Sequence, residues 1–325
     1  MRTTLRGHPV LAAPGKLFLV GEYAVLDGGT AVVAAVNRHA VGQFIDGLDD
    51  GSPVITEAVR VTTAALGEKA AALPQGSVLV DTEELSAAGQ KLGLGSSAAT
   101  AAVSVAALLE VAGVPIARET DLLFSLAESA HRAAQGGLGS GADVAACVYG
   151  GLLAFSRPAA GAPVIRKLPP LDHVELVVFS AGRPSSTVDR VRAVQALAQT
   201  APDRHAAEIA PVRRAADQFV ESMASRQPAA LYAAVRAANR AMAALGRAAE
   251  VSIVTDELGQ AAALAEELGG AAKPSGAGGG DVGIAFLPDR AAAAAFAARA
   301  PGAGITVLDI RIDPRGTHRR LAGTG

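Results

Sequence analysis

From Ser97 to Ala112 the chain carries alanine, valine and leucine with no helix breaker and one acid, Glu110. A helix that is apolar all round has no face to give to water and is buried among other elements. The run falls short of the ~20 apolar residues that span a bilayer, so it predicts a central helix of a folded core. Directly before it stands Gly93-Leu94-Gly95-Ser96-Ser97. A loop of small residues entering a helix N-terminus presents unpaired backbone N–H groups and the positive end of the helix dipole, a place suited to phosphate. Ser96 and Ser97 could cap the helix or offer a hydroxyl to Mg2+ beside a bound nucleotide. It is not a Walker A loop, because no G-K-[ST] occurs in the chain.

Composition narrows the class. The 325 residues predict about two domains at roughly 150 residues each, and half of them are hydrophobic, carried by alanine. A formal net charge of -2 argues against a protein that holds nucleic acid through a basic face. The single Cys147 excludes a disulfide framework within the chain and a multi-cysteine metal site. No signal peptide or membrane span is read, so a cytoplasmic protein is expected. Only five of the 29 basic residues are lysine, namely Lys16, Lys69, Lys91, Lys167 and Lys273.

Short apolar runs bounded by Gly and Pro predict strands at Val10–Ala12, Leu17–Val20 and Ala31–Val36. Helices are expected over Glu119–Gln135 and over His205–Leu245, the latter divided near Gln227-Pro228. Val144–Phe155 reads as helix then strand, and Pro169-Pro170 as a linker before strand Val174–Phe179. Helix Thr255–Leu268, strand Val282–Phe286, helix Ala291–Ala300 and strand Ile305–Ile312 complete an α+β order.

Two further glycine-rich segments stand out. Gly137-Leu138-Gly139-Ser140-Gly141-Ala142-Asp143 superficially fits the dinucleotide pattern. That pattern needs a strand before it, and here a helix with Glu128, His131 and Gln135 precedes. What remains is an acid at the end of a glycine loop, facing a cleft or capping a helix. His131 reads as a packed or capping residue, since nothing near it points to a metal cluster. Lys273-Pro274-Ser275-Gly276-Ala277-Gly278-Gly279-Gly280-Asp281 has more glycine than a hairpin needs and lets backbone approach another surface closely.

With Pro14-Gly15-Lys16-Leu17-Phe18-Leu19-Val20-Gly21-Glu22-Tyr23 at the front, these segments resemble the GHMP kinase superfamily. Its members share a front P-G-K motif, a central G-L-G-S-S-A phosphate loop and a late S-G-A-G-G-G motif. Lys91-Leu92-Gly93, the run from His131 to Gly136, Gly139 to Ala145, and Gly182-Arg183-Pro184-Ser185-Ser186-Thr187 are most similar to the phosphomevalonate kinase branch. Lys273-Pro274-Ser275 and Asp281 point the same way. Two positions depart from family patterns. Val282 stands where that branch often has cysteine. Mevalonate kinases carry a metal-holding glutamate eleven residues before the catalytic aspartate, and here that place is Arg132.

The resemblance implies a two-lobed fold, with a ribosomal protein S5 domain 2-like ATP-binding domain over residues 1–170. A ferredoxin-like domain over residues 171–325 would complete the substrate cleft. It implies γ-phosphoryl transfer from ATP to 5-phosphomevalonate, with mevalonate kinase or a catalytically silent metabolite sensor as alternatives. Lys16 and Asp143 would be catalytic. Lys91, Gly93, Leu94, Gly95, Ser96, Ser97 and Ala98 would surround ATP. The acceptor would meet Lys16, Tyr23, Lys91, Ser140, Ser186, Ser275, Gly276 and Ala277. Ser97 leads the Mg2+ ligands, with Glu128 a weaker second. Glu22 is expected to orient Lys16 or the adjacent loop. Lys16, Lys91 and Lys273 all fall in motifs that would surround phosphates, whereas Lys69 and Lys167 are expected at the surface. The partners implied are small molecules, with neither nucleic acid nor membrane, on a monomer or homodimer.

Overall fold

The computed structural model describes residues 8–47, 52–87, 90–182 and 187–320. The chain opens with β1 (Leu11–Val20) and β2 (Ala31–Ile45), paired antiparallel. Next come α1 (Pro53–Leu66), β3 (Ser77–Asp81) and a small hairpin of β4 (Ser86–Ala87) and β5 (Gln90–Lys91). The helices α2 (Ser96–Val111), α3 (Thr120–Ala134) and α4 (Ala142–Tyr149) precede β6 (Leu152–Ser156) and β7 (Val164–Lys167). Beyond lie β8 (Glu175–Ser180), α5 (Thr187–Thr200), α6 (Pro202–Ser225), α7 (Pro228–Ala248) and α8 (Asp256–Glu267). The last elements are β9 (Ala271–Pro274), β10 (Val282–Leu287), α9 (Arg290–Arg299), β11 (Thr306–Leu308) and β12 (His318–Arg319).

Two sheets organise these elements. The first has the order β12-β1-β2-β6-β7, with β3 also paired to β2, and the second has the order β11-β8-β10-β9. The apolar run forms α2 as expected. Every residue from Ala98 to Leu109 in it is buried, because β1, β2, α1, α3 and α4 all pack around it. Ala31–Val36 of β2 are buried throughout, with α2, α4 and α6 against that strand. This complete cover explains an unbroken apolar run where an exposed face would have given alternation. Thr255 and Asp289 cap α8 and α9 with side-chain oxygens, the chemistry that starts helices at those places. Among the described residues no helix is long and apolar enough to cross a membrane.

Two expected boundaries shift. Pro14-Gly15 does not end a strand; the residues stay in β1 as an irregularity in its register with β2. A bulge bends a strand without breaking it, and here it coincides with a bond from the Lys16 N–H to the Leu94 carbonyl (2.7 Å). The strand expected over Ile305–Ile312 keeps only Thr306–Leu308 in the second sheet. The chain then crosses over: Ile312 bridges Val36, and His318 and Arg319 pair with Ala12 and Leu11. Residues near the C-terminal end of the second half thus finish the first sheet.

The two sheets are joined by a buried ion pair. Lys273 of β9 is 0% exposed and Glu22, just beyond β1, is 3% exposed. The Lys273 Nζ donates to Glu22 Oε1 at 2.6 Å and also to the Pro274 carbonyl. Burial lowers the Lys273 pKa and the facing carboxylate raises it. Removing one member of such a pair strands the other charge, at a cost of about 3–5 kcal/mol. Lys273→Met is therefore expected to lower unfolding stability by about that much in urea titrations, and adding Glu22→Gln should recover part of the loss. Additive losses in the double variant would overturn this account of the pair.

Candidate active site

The loop between β5 and α2 is held in place by the helix that it enters. Because α2 is buried on all sides, its N-terminus has one position, and Gly95 is its N-cap at φ +77°. Ser96 and Ser97 are already inside the helix, so neither is its N-cap. The first N–H groups of a helix have no partner within it, and here they open onto a cavity of about 420 Å3. Its walls include Gly93, Gly95, Ser96, Ser97, Ala98, Lys16, Lys91, His131, Asp143 and Asp281. Lys16 crosses beneath the loop, with Nζ donating to the Gly93 carbonyl at 3.0 Å and lying 5.6 Å from the Phe18 ring centre. A Cβ on Gly95 would stand 2.7 Å from Lys16 Cγ, so glycine is needed there for both backbone and space.

Burial lowers the Lys16 pKa from 10.5, and Asp143 leads the groups that raise it, ahead of Cys147, Glu22 and Asp281. The ammonium and the Asp143 carboxylate thus face one environment from different elements. Asp143 lies inside the first turn of α4 and is not its cap; that place belongs to Gly141. Its Oδ1 accepts the Val144 N–H at 2.9 Å.

A second, smaller cavity of about 140 Å3 adjoins the first. Phe18, Val25, Leu26, Leu138, Val188 and Val191 give it apolar walls, with Glu22, Tyr23, Ser140, Gly276 and Ala277 among the rest. Gln135, Asp143 and Thr187 line both cavities. The late glycine segment is tied to the front motif by named bonds. Tyr23 OH donates to the Ala277 carbonyl (2.7 Å), the Gly276 N–H to Glu22 Oε1 (3.2 Å), and the Phe18 N–H to Ser275 Oγ (3.0 Å). Glu22 therefore orients the late loop. Its second oxygen, Oε2, is buried with no hydrogen-bond partner among the described residues. Tyr23 holds φ +62°, a conformation costly for a bulky residue, and burial pushes its phenol pKa up. Gly279 sits under the Arg190 guanidinium, where a Cβ would come within 1.9 Å of its carbon.

Not every expected residue comes to these cavities. Lys273 does not face phosphates: it points into the core, where Glu22 takes up its charge. Ser275 likewise uses its hydroxyl inside the protein. Ser140 borders the smaller cavity while its Oγ accepts the Ala142 N–H at 3.2 Å. Glu128 pairs with Arg157 (3.0 Å) and Arg132 (4.0 Å) and lines a different cleft, so the structure does not bring it to Ser97. Ser186 and Arg183 lie outside the described residues. Lys69 and Lys167 are exposed as expected. Among the described residues no group of three or more His, Cys, Asp or Glu could hold a metal ion on its own.

The structure adds His131, Gln135 and Thr187. His131 packs in the protein (4% exposed), as the sequence suggested, but its Nε2 lies 3.7 Å from Asp143 Oδ2. The available signal was its helical spacing with Gln135, whose amide nitrogen is 2.9 Å from the same ring nitrogen.

Known proteins place this arrangement. The GHMP kinases N terminal domain matches residues 55–151, and the GHMP kinases C terminal domain matches residues 228–305. A phosphomevalonate kinase from Streptomyces sp. (strain CL190) is 31% identical, over 88% of this chain and 91% of that protein. The Lin0012 protein from Listeria innocua superposes with a TM-score of 0.84 at 26% identity, covering 97% of this chain and 100% of that one. A Streptococcus pneumoniae phosphomevalonate kinase in complex with phosphomevalonate and AMPPNP gives 0.79 at 21% identity, over 93% and 99%. With family domains matching on both sides of the cleft and a relative aligned along most of its length, the chain belongs to the GHMP kinase family.

Proposed function

We propose that this chain transfers the γ-phosphoryl group of ATP to the phosphate of 5-phosphomevalonate, giving 5-diphosphomevalonate and ADP. The observation that carries the reading is the meeting of two cavities at Asp143. One is built for anions, from a glycine loop at a helix N-terminus with Lys16 and Lys91 on its wall. The other is small and largely apolar, suited to the carbon skeleton of an acceptor. Gln135, Asp143 and Thr187 form their common border. The names of the similar kinases support the same donor and acceptor. In this reading the halves 1–170 and 171–325 form two lobes around the cleft, with residues 310–320 returning to the first.

Phosphoryl transfer leaves little covalent work to the protein; it must bring reactants together and offset the charge that spreads over the moving group. The N–H groups of the loop through Ala98 hold the donor phosphates in the field of the α2 dipole. Lys16, fixed by the Gly93 carbonyl, places its ammonium beneath that loop and stabilises the developing charge. Lys91, exposed on β5, adds a second cation at the rim. A phosphate acceptor is already largely ionised near neutrality, its second pKa being ~6, so Asp143 has no proton that it must remove. Its carboxylate instead keeps Lys16 charged and oriented. The residues fit a Mg2+ ion that arrives with the nucleotide: Ser97, in the first turn of α2, carries its hydroxyl group on the cavity wall. The ion would take its other ligands from phosphate oxygens and water and would supply further charge neutralisation.

The reading is tested by following ADP release with ATP and, separately, 5-phosphomevalonate, mevalonate, homoserine and galactose. Turnover is expected with 5-phosphomevalonate; its absence there, or turnover of mevalonate alone, would sink the assignment. Gly95→Ala forces a side chain onto Lys16 and should cost about a hundredfold in kcat/KM, as misplaced catalytic groups do. A near-normal rate would show that Lys16 has room to move.

The pH profile carries a sign. The ammonium is the working form of Lys16, and burial lowers its pKa. Activity should therefore decline on the alkaline side below the ordinary lysine value of 10.5. Asp143 is the largest influence raising that pKa, so Asp143→Asn should move the decline to still lower pH as well as reduce kcat. An alkaline limb that stays put, or moves up, contradicts the assignment of that limb to Lys16.

A further inference from the structure

The family chemistry accounts for Lys16 and Asp143 but gives no task to His131. This residue is almost fully buried on α3, a helix packed directly against α4. The two oxygens of Asp143 are held differently. Oδ1 is anchored to its own helix by the Val144 N–H, whereas Oδ2 faces the imidazole Nε2 at 3.7 Å. The Gln135 amide closes on the same nitrogen at 2.9 Å. An imidazole lone pair turned toward a carboxylate oxygen in such a buried place would be repelled by it, whereas an N–H would be attracted. A half-turn of the Gln135 amide presents oxygen instead of nitrogen to the ring. The consistent arrangement has Nε2–H directed between the Gln135 oxygen and Asp143 Oδ2.

We propose that His131 is the positioning residue for Asp143: its Nε2–H, oriented by Gln135, fixes the carboxylate that faces Lys16 where the two cavities meet. The proposal rests on the phosphotransferase reading above. Asp143 needs such a tie because two polyanionic reactants repel it, and a carboxylate free to rotate away would release Lys16 from its orientation. At 3.7 Å the contact is longer than a hydrogen bond. A movement of about an ångström closes it, as catalytic contacts do when a site tightens around its reactants. Simple packing would be met by any apolar side chain of similar volume. A tie through Nε2 requires a donor at that one position.

The test uses the full-length protein with ATP and 5-phosphomevalonate, and thermal melts to establish folding. Glutamine can place its amide nitrogen where Nε2 lies, and asparagine can reach only the Nδ1 position. His131→Asn should lower kcat by about ten- to a hundredfold while both KM values stay within about twofold, and His131→Gln should recover most of the loss. In an Asp143→Asn background, His131→Asn should cost about twofold or less, because the residue it positions is gone. Three results overturn the proposal: a normal kcat in His131→Asn, equal losses in the asparagine and glutamine variants, or an undiminished loss in the Asp143→Asn background. Where His131→Asn does not fold, His131→Met, closer in volume, takes its place in the same cycle. A wild-type protein that ignores 5-phosphomevalonate but phosphorylates another acceptor defeats the substrate reading alone, and the cycle is then run on that acceptor.

Discussion

A lysine ammonium with no surface in water faces a glutamate with almost none, 2.6 Å apart. Neither charge is tolerable there without the other. The glutamate follows the first strand of one sheet and the lysine belongs to an edge strand of the other, so the sheets cannot separate without exposing an unpaired charge to the core. The same carboxylate oxygen accepts the Gly276 N–H, and the hydroxyl of neighbouring Tyr23 donates to the Ala277 carbonyl. The late glycine loop is thus set against the front motif by one polar joint. The joint borders the smaller cavity, which Glu22, Tyr23, Gly276 and Ala277 line together with Asp143.

The other fixed point is α2. A helix buried on every side cannot roll or slide without losing close-packed contacts, and it carries the glycine loop on its first turn. Lys16, on β1, is tied to that loop through two bonds, its own N–H to the Leu94 carbonyl and its ammonium to the Gly93 carbonyl. The cavity at that loop is therefore walled on one side by backbone and by a lysine whose approach is dictated by the core. Lys91 stands exposed at the rim.

Much of this was legible in the sequence because glycine records backbone demands directly. Gly95 marks a positive φ, and the late glycine run marks a place where chain meets chain. The apolar run announced a buried helix by lacking a polar face. Side-chain destinations were harder. Lys273 sits in a motif beside Ser275 and Gly276, yet the pleat of β9, in register with β10 at Ile284, turns it inward. Its partner is 251 residues away in sequence. Nothing local encodes such a pairing. His131 and Gln135 were readable as one helical face, but the glycine turn that folds α4 back over α3 decides that Asp143 lies opposite. Glu128 shows the reverse case: a plausible ligand by spacing, it is taken up by Arg157 from beyond β6, a residue no helical count would include.

The crossing of the chain back to the first sheet has a consequence for synthesis. β12 flanks β1, yet it is the last of the described strands to leave the ribosome. Ile312 and Asp313 likewise close onto Val36 and Ala35. The β1–β2 hairpin must therefore wait, with one edge open, until the whole second half has emerged. Open edges of apolar strands are where nascent chains associate wrongly. The N-terminal half thus cannot complete its own sheet, and its final closure is a long-range event of high sequence separation, the kind that sets a slow pace for folding. A chaperone that shields an edge strand would find its longest residence on β1.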